Sequence, residues 1–149
     1  MFLKSRKGFT ILELLIVIAV IAILVGIALP RFKGMKDEGN YAKAKGELRT
    51  LQTAVESYYI HNSNAYPANI GAALTGATPQ IIATATVDPF STTAANYSIA
   101  KSANGNYYII WSVGPGGTAT ITGISDAGVL AGAAGDDVYV SNGTVSSGG

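Results

Sequence analysis

The chain begins with a short polar segment that leads into a long apolar stretch. Residues 11–29 read ILELLIVIAVIAILVGIAL, and Glu13 is the only charged residue among them. At about 1.5 Å per residue, a helix of this length roughly crosses the hydrocarbon core of a bilayer. The pattern predicts a hydrophobic transmembrane helix over residues 9–29, with one ionisable side chain near its start.

The helical pattern continues into polar sequence over residues 30–62. Apolar and aromatic positions recur every three or four residues, while small and polar residues occupy the opposite side. The apolar positions are Tyr41, Ala44, Leu48, Leu51, Val55 and Tyr58, and the opposite side carries Gly46, Thr50, Thr53 and Ser57. We expect one helix of about 80 Å from Phe9 to about His61. Its second half should pack the apolar stripe on a sheet.

The middle of this helix contains residues that weaken helices. Pro30 lacks a backbone donor, and Gly34 and Gly39 each cost about 1 kcal/mol relative to alanine. We expect a kink or a locally melted stretch here in an assembled state. A bent linker at the membrane exit is equally compatible with these three residues.

Residues 63–149 are predicted to form a globular head. The breaker-rich stretch HNSNAYP ends the helix, and residues 68–88 predict a loop with one short helix. Strands are expected at Asn96–Ala100, Tyr107–Val113, Thr118–Ile124 and Val138–Val140. The fold class is therefore α+β, a long N-terminal helix packed on a small C-terminal antiparallel sheet. Within that sheet, Tyr107, Tyr108 and Trp111 are expected to serve packing.

Composition argues against several classes of function. The chain has no cysteine, which excludes disulfides and thiolate chemistry. His61 is its only histidine and has no Ser-His-acid set around it, so we expect no enzyme. Beyond the apolar run acids outnumber bases, and no basic patch for nucleic acid is predicted.

The cationic residues Lys4, Arg6 and Lys7 precede the apolar run, and by the positive-inside rule they place the N-terminus in the cytoplasm. A secretory signal would be cut after its apolar stretch, but the sequence LPRFKGMK that follows is a poor cleavage site. The remaining candidate lies in front of the run, in K-G-F-T-I-L-E, where Gly8 precedes Phe9.

This motif resembles the class III leader of type IV pilins and type II secretion pseudopilins. The residues that carry the resemblance are Lys7, Gly8, Phe9, Thr10 and Glu13, followed by the apolar run and Pro30. The resemblance implies that residues 1–8 are a leader, that a prepilin peptidase cuts between Gly8 and Phe9, and that Phe9 becomes N-methylated.

Glu13 is the candidate site residue with the strongest physical argument. An ionised carboxylate inside a bilayer costs about 2.5–3.5 kcal/mol and needs a partner. The amine of Phe9, created by cleavage in the same subunit or in a neighbour, is such a partner; a carboxylate that reaches the interface is the alternative. Membership of the family implies the intersubunit pair, with Phe9, Glu13 and Pro30 as assembly residues.

Parts of the head resemble the major, G-type, pseudopilin of type II secretion. They are Tyr66-Pro67, Asp88-Pro89-Phe90, Ser112-Val113-Gly114-Pro115-Gly116-Gly117 and Asp136-Asp137-Val138. The resemblance implies a calcium ion (Ca2+) held by Asp136 and Asp137, together with Asp126. Calcium prefers six to eight oxygen ligands and tolerates irregular loops. An ordinary solvated Asp-Asp turn is the alternative.

The resulting expectation is a structural subunit that polymerises with itself into a helical filament. Implied partners are the prepilin peptidase, an inner-membrane assembly platform, minor pilins or pseudopilins, and a cytoplasmic ATPase, since the chain has no P-loop. The expected location is the bacterial inner membrane for the precursor, then a periplasmic or cell-surface filament. A surface type IV pilin and a simple single-span anchored protein are the alternatives.

Overall fold

The computed structural model describes residues 8–144 and 147–148. They form two compact units that divide between Asp37 and Glu38, and each unit is described by itself. Residues 1–7, which hold most of the predicted leader and its Lys7, lie outside the described residues.

The long helix α1 runs from Ile11 to His61 and is helical throughout, including at Pro30. It begins two residues later than expected because Thr10 caps it. A proline inside a helix removes one backbone hydrogen bond, and α1 tolerates that loss. The expected kink concerns an assembled state and stays a prediction.

The first unit exposes its apolar side chains. The exposed fraction is 83% at Phe9 and still 47% at Val25, with similar values for the large apolar residues between them. Among the described residues, α1 is the one helix that is long and apolar enough to cross a membrane. The predicted spanning segment is thus present as a helix whose apolar surface is uncovered in the single chain.

In the second unit, one face of α1 forms one side of the main hydrophobic core. The predicted stripe is confirmed: its central residues Ala44, Leu48, Leu51 and Val55 are buried, and Tyr41 and Tyr58 pack against them partly buried. Fully burying an aliphatic side chain of this kind contributes about 1.5–3 kcal/mol relative to leaving it exposed. The opposite face, with Gly46, Thr50 and Thr53, is exposed.

A short helix and six strands follow. They are α2 (Ala72–Thr75), β1 (Ser98–Lys101), β2 (Tyr108–Ser112), β3 (Ile121–Ile124), β4 (Leu130–Gly132), β5 (Val138–Ser141) and β6 (Ser147–Gly148). Strands β1, β2, β5 and β6 form an antiparallel sheet in the order β1-β2-β5-β6, and β3 and β4 form a separate antiparallel pair. The predicted α+β class is confirmed.

Strand β2 is covered on both faces, which explains its continuous apolar sequence. Tyr108 and Ile110 pack in the core beneath α1, whereas Ile109 and Trp111 belong to a second cluster with Ile121 of β3. Successive side chains of a strand point to opposite faces, so the β3–β4 pair forms a second layer over the sheet. Strands β4 and β6 were not predicted, because strands of three and two residues carry almost no periodicity.

Two buried tyrosines bind carboxylates of α1. The hydroxyl of Tyr97 donates to Glu47 Oε2 at 2.6 Å, and that of Tyr108 donates to Glu56 Oε1 at 2.8 Å. Burial, followed by these hydrogen bonds, raises the pKa of both tyrosines well above the ordinary range. Both hydroxyls therefore remain donors at neutral pH and join the helix to the head.

The Asp88 side chain joins the loop before β1 to the end of β2. Its buried carboxylate accepts hydrogen bonds from the Ser112 hydroxyl at 2.7 Å, the Val113 backbone N–H at 2.9 Å and the Phe90 backbone N–H at 3.0 Å. A carboxylate with several such donors is well compensated for its loss of water. The Asp-Pro-Phe stretch that the sequence singled out is thus a loop anchor.

Candidate assembly site

The predicted cleavage junction lies outside the helix. Gly8 and Phe9 are exposed, and α1 begins only at Ile11. A Cβ placed on Gly8 would meet no atom within 4 Å. The peptide bond between them is therefore exposed and outside the helix, which makes it accessible to a peptidase. The cleavage itself stays a prediction.

Thr10 and Glu13 form a capping box at the start of α1. The carboxylate atom Oε2 of Glu13 accepts from the Thr10 backbone N–H at 2.9 Å and from the Thr10 hydroxyl at 2.8 Å. In return, the Glu13 backbone N–H donates to the Thr10 Oγ1 atom at 3.1 Å. This reciprocal pattern satisfies donors that a helix start otherwise leaves free.

The capping box changes the interpretation of Glu13. Its carboxylate already accepts two hydrogen bonds from Thr10 in the uncut chain. The amine that cleavage creates would therefore be an additional partner of Glu13 and not its first one. In the part of the chain that the structure describes, both side-chain bonds use Oε2, and none is seen to Oε1. The spacing T-x-x-E is the sequence signature of such a capping box, and Thr10 was not among the predicted assembly residues.

Pro30 lies at the end of the apolar run, inside α1. Its missing N–H leaves the carbonyl of Gly26, four residues earlier, without the usual helical donor. A Cβ on Gly26 would meet no atom within 4 Å, so the helix surface is open beside this carbonyl. The assembly role of Pro30 stays a prediction.

Asp137 is the most buried acid of the head. Its atom Oδ2 accepts from the backbone N–H of Ile121 at 2.8 Å, and from the N–H and hydroxyl of Thr120 at 2.7 and 3.1 Å. Its other oxygen, Oδ1, is buried and has no hydrogen-bond partner among the described residues. The carboxylate holds the start of β3 against the start of β5.

Asp136 binds the glycine-rich turn. Its Oδ2 atom accepts the backbone N–H of Gly116, and its carbonyl oxygen would lie only 2.1 Å from a Cβ on Gly114. Gly114 also has φ +64°, a conformation that favours glycine. The close approach of the two turns therefore requires glycine at position 114.

The three predicted calcium ligands do not come together. Asp126 accepts the Asn104 backbone N–H at 2.8 Å, beside the turn that enters β2, whereas Asp137 precedes the β5 residue that pairs with Ser112 at the far end of β2. Five residues of β2 separate these ends by about 13 Å. Within residues 8–144 and 147–148, no group of three or more His, Cys, Asp or Glu side chains could hold a metal ion.

The remaining candidate for chemistry, His61, ends α1. Its Nδ1 atom binds the carbonyl oxygen of Ser57 at 2.8 Å, one turn earlier. This is the position at which a histidine helps to satisfy the last carbonyls of a helix.

Comparison with known proteins identifies the N-terminal segment. Residues 3–29 match the model of the prokaryotic N-terminal methylation motif. This match, which covers 27 of the 149 residues, supports the resemblance to type IV pilins and pseudopilins. The resemblance of its leader and apolar run to that family is thereby confirmed.

Curated relatives come from both branches of the family. The chain is 34% identical over 64 residues to type II secretion system core protein G of Klebsiella michiganensis, a match that covers 43% of this chain and 44% of that protein. It is 42% identical over 55 residues to a fimbrial protein of Pseudomonas aeruginosa, over 37% of this chain and 36% of that one. It is also 42% identical over 55 residues to the type IV major alpha-pilin of Moraxella bovis, a match that covers 37% of this chain and 35% of that protein.

In each of these matches the chain spans less than half of the relative's length. No solved structure matches it.

Replacing Asp137 by alanine should destabilise the head. The change leaves the buried N–H of Ile121 without its acceptor, and an unsatisfied buried donor of this kind costs about 1–3 kcal/mol. Urea unfolding of the detergent-solubilised chain, followed by the fluorescence of its single tryptophan, measures the loss. The matched control is Asp126→Ala, which removes an exposed acceptor and should cost less than about 1 kcal/mol. Equal losses in the two variants would contradict the role given to Asp137.

Proposed function

We propose that this chain is the precursor of a structural subunit of a type IV pilus-like filament, specifically the major pseudopilin of a type II secretion system. It has no catalytic role in this proposal. The observation that carries the proposal is an uncovered apolar helix whose first part lies within residues 3–29, the segment that matches the methylation motif. Such a helix needs either lipid or other copies of itself around it, and a filament subunit uses both in turn.

The precursor waits in the inner membrane with residues 9–29 inserted. A prepilin peptidase cuts between Gly8 and Phe9 and methylates the new amine, and the apolar helix is retained. The amine of Phe9 then pairs with Glu13 of a neighbouring subunit and sets the stagger between copies. The accessible junction and the open Oε1 atom of Glu13 support this step, since the capping box leaves that oxygen available to a second partner.

Assembly proceeds by adding copies through the same helix surface. Each contact is head-to-tail and does not close on itself, so repetition produces a fibre and not a ring. An inner-membrane platform and a cytoplasmic ATPase supply the work of extraction, and minor pilins or pseudopilins complete the filament. The product lies in the periplasm or on the cell surface.

A major type IV pilin of a surface pilus is the second candidate. The fimbrial and pilin relatives, which are as similar as the secretion proteins, favour it. Both candidates share the same leader, helix and polymerisation step. They differ in the location of the fibre, which is the periplasm for a pseudopilin and the cell surface for a pilin. Long fibres on the surface of native cells would favour the pilus.

The head is also proposed to bind calcium at Asp136 and Asp137, as the family resemblance implies. The buried Oδ1 atom of Asp137 supports this, because a buried carboxylate oxygen without a donor is costly. When bound, the cation would be the partner that the Oδ1 atom of Asp137 lacks among the described residues. Asp126 lies too far along the sheet to share it.

Calcium should raise the unfolding temperature of the wild-type chain, and a chelator should reverse the rise. At a free concentration 100 times the dissociation constant, a single bound ion stabilises by about 2.7 kcal/mol. Calorimetry of the chain in detergent measures the effect, with Asp136→Asn as the impaired variant and Asp126→Asn as the matched control. An unchanged unfolding temperature in the wild type would contradict calcium binding.

Mass spectrometry of the mature chain from its native membrane tests the proposed function. We expect a first residue of N-methylated Phe9, because the peptidase acts after Gly8. A chain that begins at Met1 would instead indicate the simple single-span anchor. A Gly8→Leu variant serves as the control and should remain uncut.

Replacing Glu13 by glutamine separates its charge from its capping role. Glutamine also completes a capping box, so α1 should still begin at the same place, while the pair with a neighbouring amine is lost. We expect normal processing and a filament yield at least about ten-fold lower, equivalent to about 1.4 kcal/mol per subunit. Quantitative electron microscopy of the fibres measures the yield.

The control for the glutamine variant is Thr10→Ala, which weakens the cap but keeps the charge. It should lower filament yield much less than Glu13→Gln does. A normal yield from the glutamine variant would remove Glu13 from the assembly mechanism.

A further inference from the structure

A second group of cations follows the apolar run. Arg31, Lys33 and Lys36 lie within six residues of one another, directly after Pro30, and all three are exposed. None of them forms an ion pair among the described residues, where the salt bridge found is Lys43–Glu47. Asp37 and Glu38 follow directly but form no ion pair with them among the described residues, so the three cations nearest the apolar run are open to a partner of opposite sign.

Apolar side chains alternate with these cations. Phe32 is 67% exposed and Met35 is 71% exposed, so neither belongs to the core of the head. Apolar and cationic side chains together are typical of the membrane–water interface, where long cationic side chains extend their charges toward the headgroups. The composition therefore favours an interfacial position for residues 31–36.

The cations surround the helix instead of forming a stripe. At about 100° per residue, Arg31, Lys36 and Lys33 are separated around the axis by about 140°, 60° and 160°. A helix that lies flat on a surface, or faces one protein partner, would present its charges on one side. Charges on several sides are typical of a helix that passes through a charged layer.

The thickness of the group agrees with that geometry. From Arg31 to Lys36 the helix rises about 7.5 Å. The polar layer on one side of a bilayer is roughly 5–8 Å deep, by the difference between the whole membrane and its hydrocarbon core. The cations thus occupy about one headgroup layer when the apolar run fills the core.

We propose that Arg31, Lys33 and Lys36 form a collar that binds the phosphate-bearing headgroups of anionic phospholipids. This inference rests on the proposed function, in which the precursor is inserted in the membrane through residues 9–29. It adds the class of lipid that the inserted precursor binds. The collar lies on the side of the membrane away from the leader. It holds the helix at a fixed depth in the bilayer. The contacts between the cations and the headgroups must break when the subunit leaves the bilayer.

A labelled variant tests the collar in the full chain. Because the chain has no cysteine, Gly34→Cys introduces a single thiol inside the collar, at a position where a Cβ meets no atom within 4 Å. The thiol is coupled to a fluorophore, and the chain is reconstituted into phosphatidylcholine vesicles that contain phosphatidylglycerol. Quenching by headgroup spin-labelled phosphatidylglycerol is then compared with quenching by spin-labelled phosphatidylcholine.

We expect the anionic lipid to quench at least about five-fold more effectively, which corresponds to the contribution of one cation near an anionic surface. The preference should disappear at about 1 M salt, where the screening length falls to about 3 Å. It should also disappear when Arg31, Lys33 and Lys36 are all replaced by glutamine, a residue of similar helix propensity. The matched control replaces Lys43, Lys45 and Arg49 by glutamine and should keep the preference.

Equal quenching by the two lipids in the wild type would overturn the collar, as would a preference that persists in the Arg31, Lys33, Lys36 variant. Competition by millimolar inorganic phosphate would also overturn it, by indicating a site for the free anion. Vesicle flotation separates this failure from that of the proposed function. A chain that floats without a lipid preference has an anchor but no collar, whereas a chain that does not float has no anchor.

Discussion

The apolar surface of residues 9–29 imposes the strongest constraint on this protein. Each Å² of such surface costs about 25 cal/mol in contact with water, and most of the large side chains here are more than half exposed. The segment is therefore stable only in lipid or against other apolar helices. In the proposed function, lipid surrounds this surface in the precursor and other copies of the helix surround it in the filament, so the same residues serve both states.

The head is stabilised by hydrophobic packing and buried hydrogen bonds, without disulfides. One face of α1 fills the core beneath the sheet, and the β3–β4 pair covers the other face of β2. Buried carboxylates then hold the loops: Asp88 and Asp137 each accept several backbone or hydroxyl donors. These acids act as fixed acceptors for chain segments that have no regular secondary structure to satisfy their N–H groups.

The capping box at the start of α1 alters the energetics proposed for Glu13. Thr10 already compensates the carboxylate before any cleavage, so the uncut helix can enter the membrane with a satisfied acid. In the proposed assembly, the amine of Phe9 competes with, or adds to, the existing pair of hydrogen bonds between Thr10 and Glu13. Specificity for a neighbouring subunit would then depend on the free-energy difference between the Glu13–Thr10 arrangement and the proposed Glu13–amine pair.

The sequence by itself determined the apolar span, the motif before it, the buried stripe from Ala44 to Val55 and the α+β class. These features depend on residues within a few positions of one another, where helical spacing and local hydrogen bonds decide the outcome. The separation of Asp126 from Asp137, the bonds from Asp137 to Thr120 and Ile121, and the second layer over β2 were decided only by tertiary structure. Their partners are joined by loops whose paths follow from glycine turns and strand pairing, and no local pattern encodes which distant backbone group a carboxylate will meet.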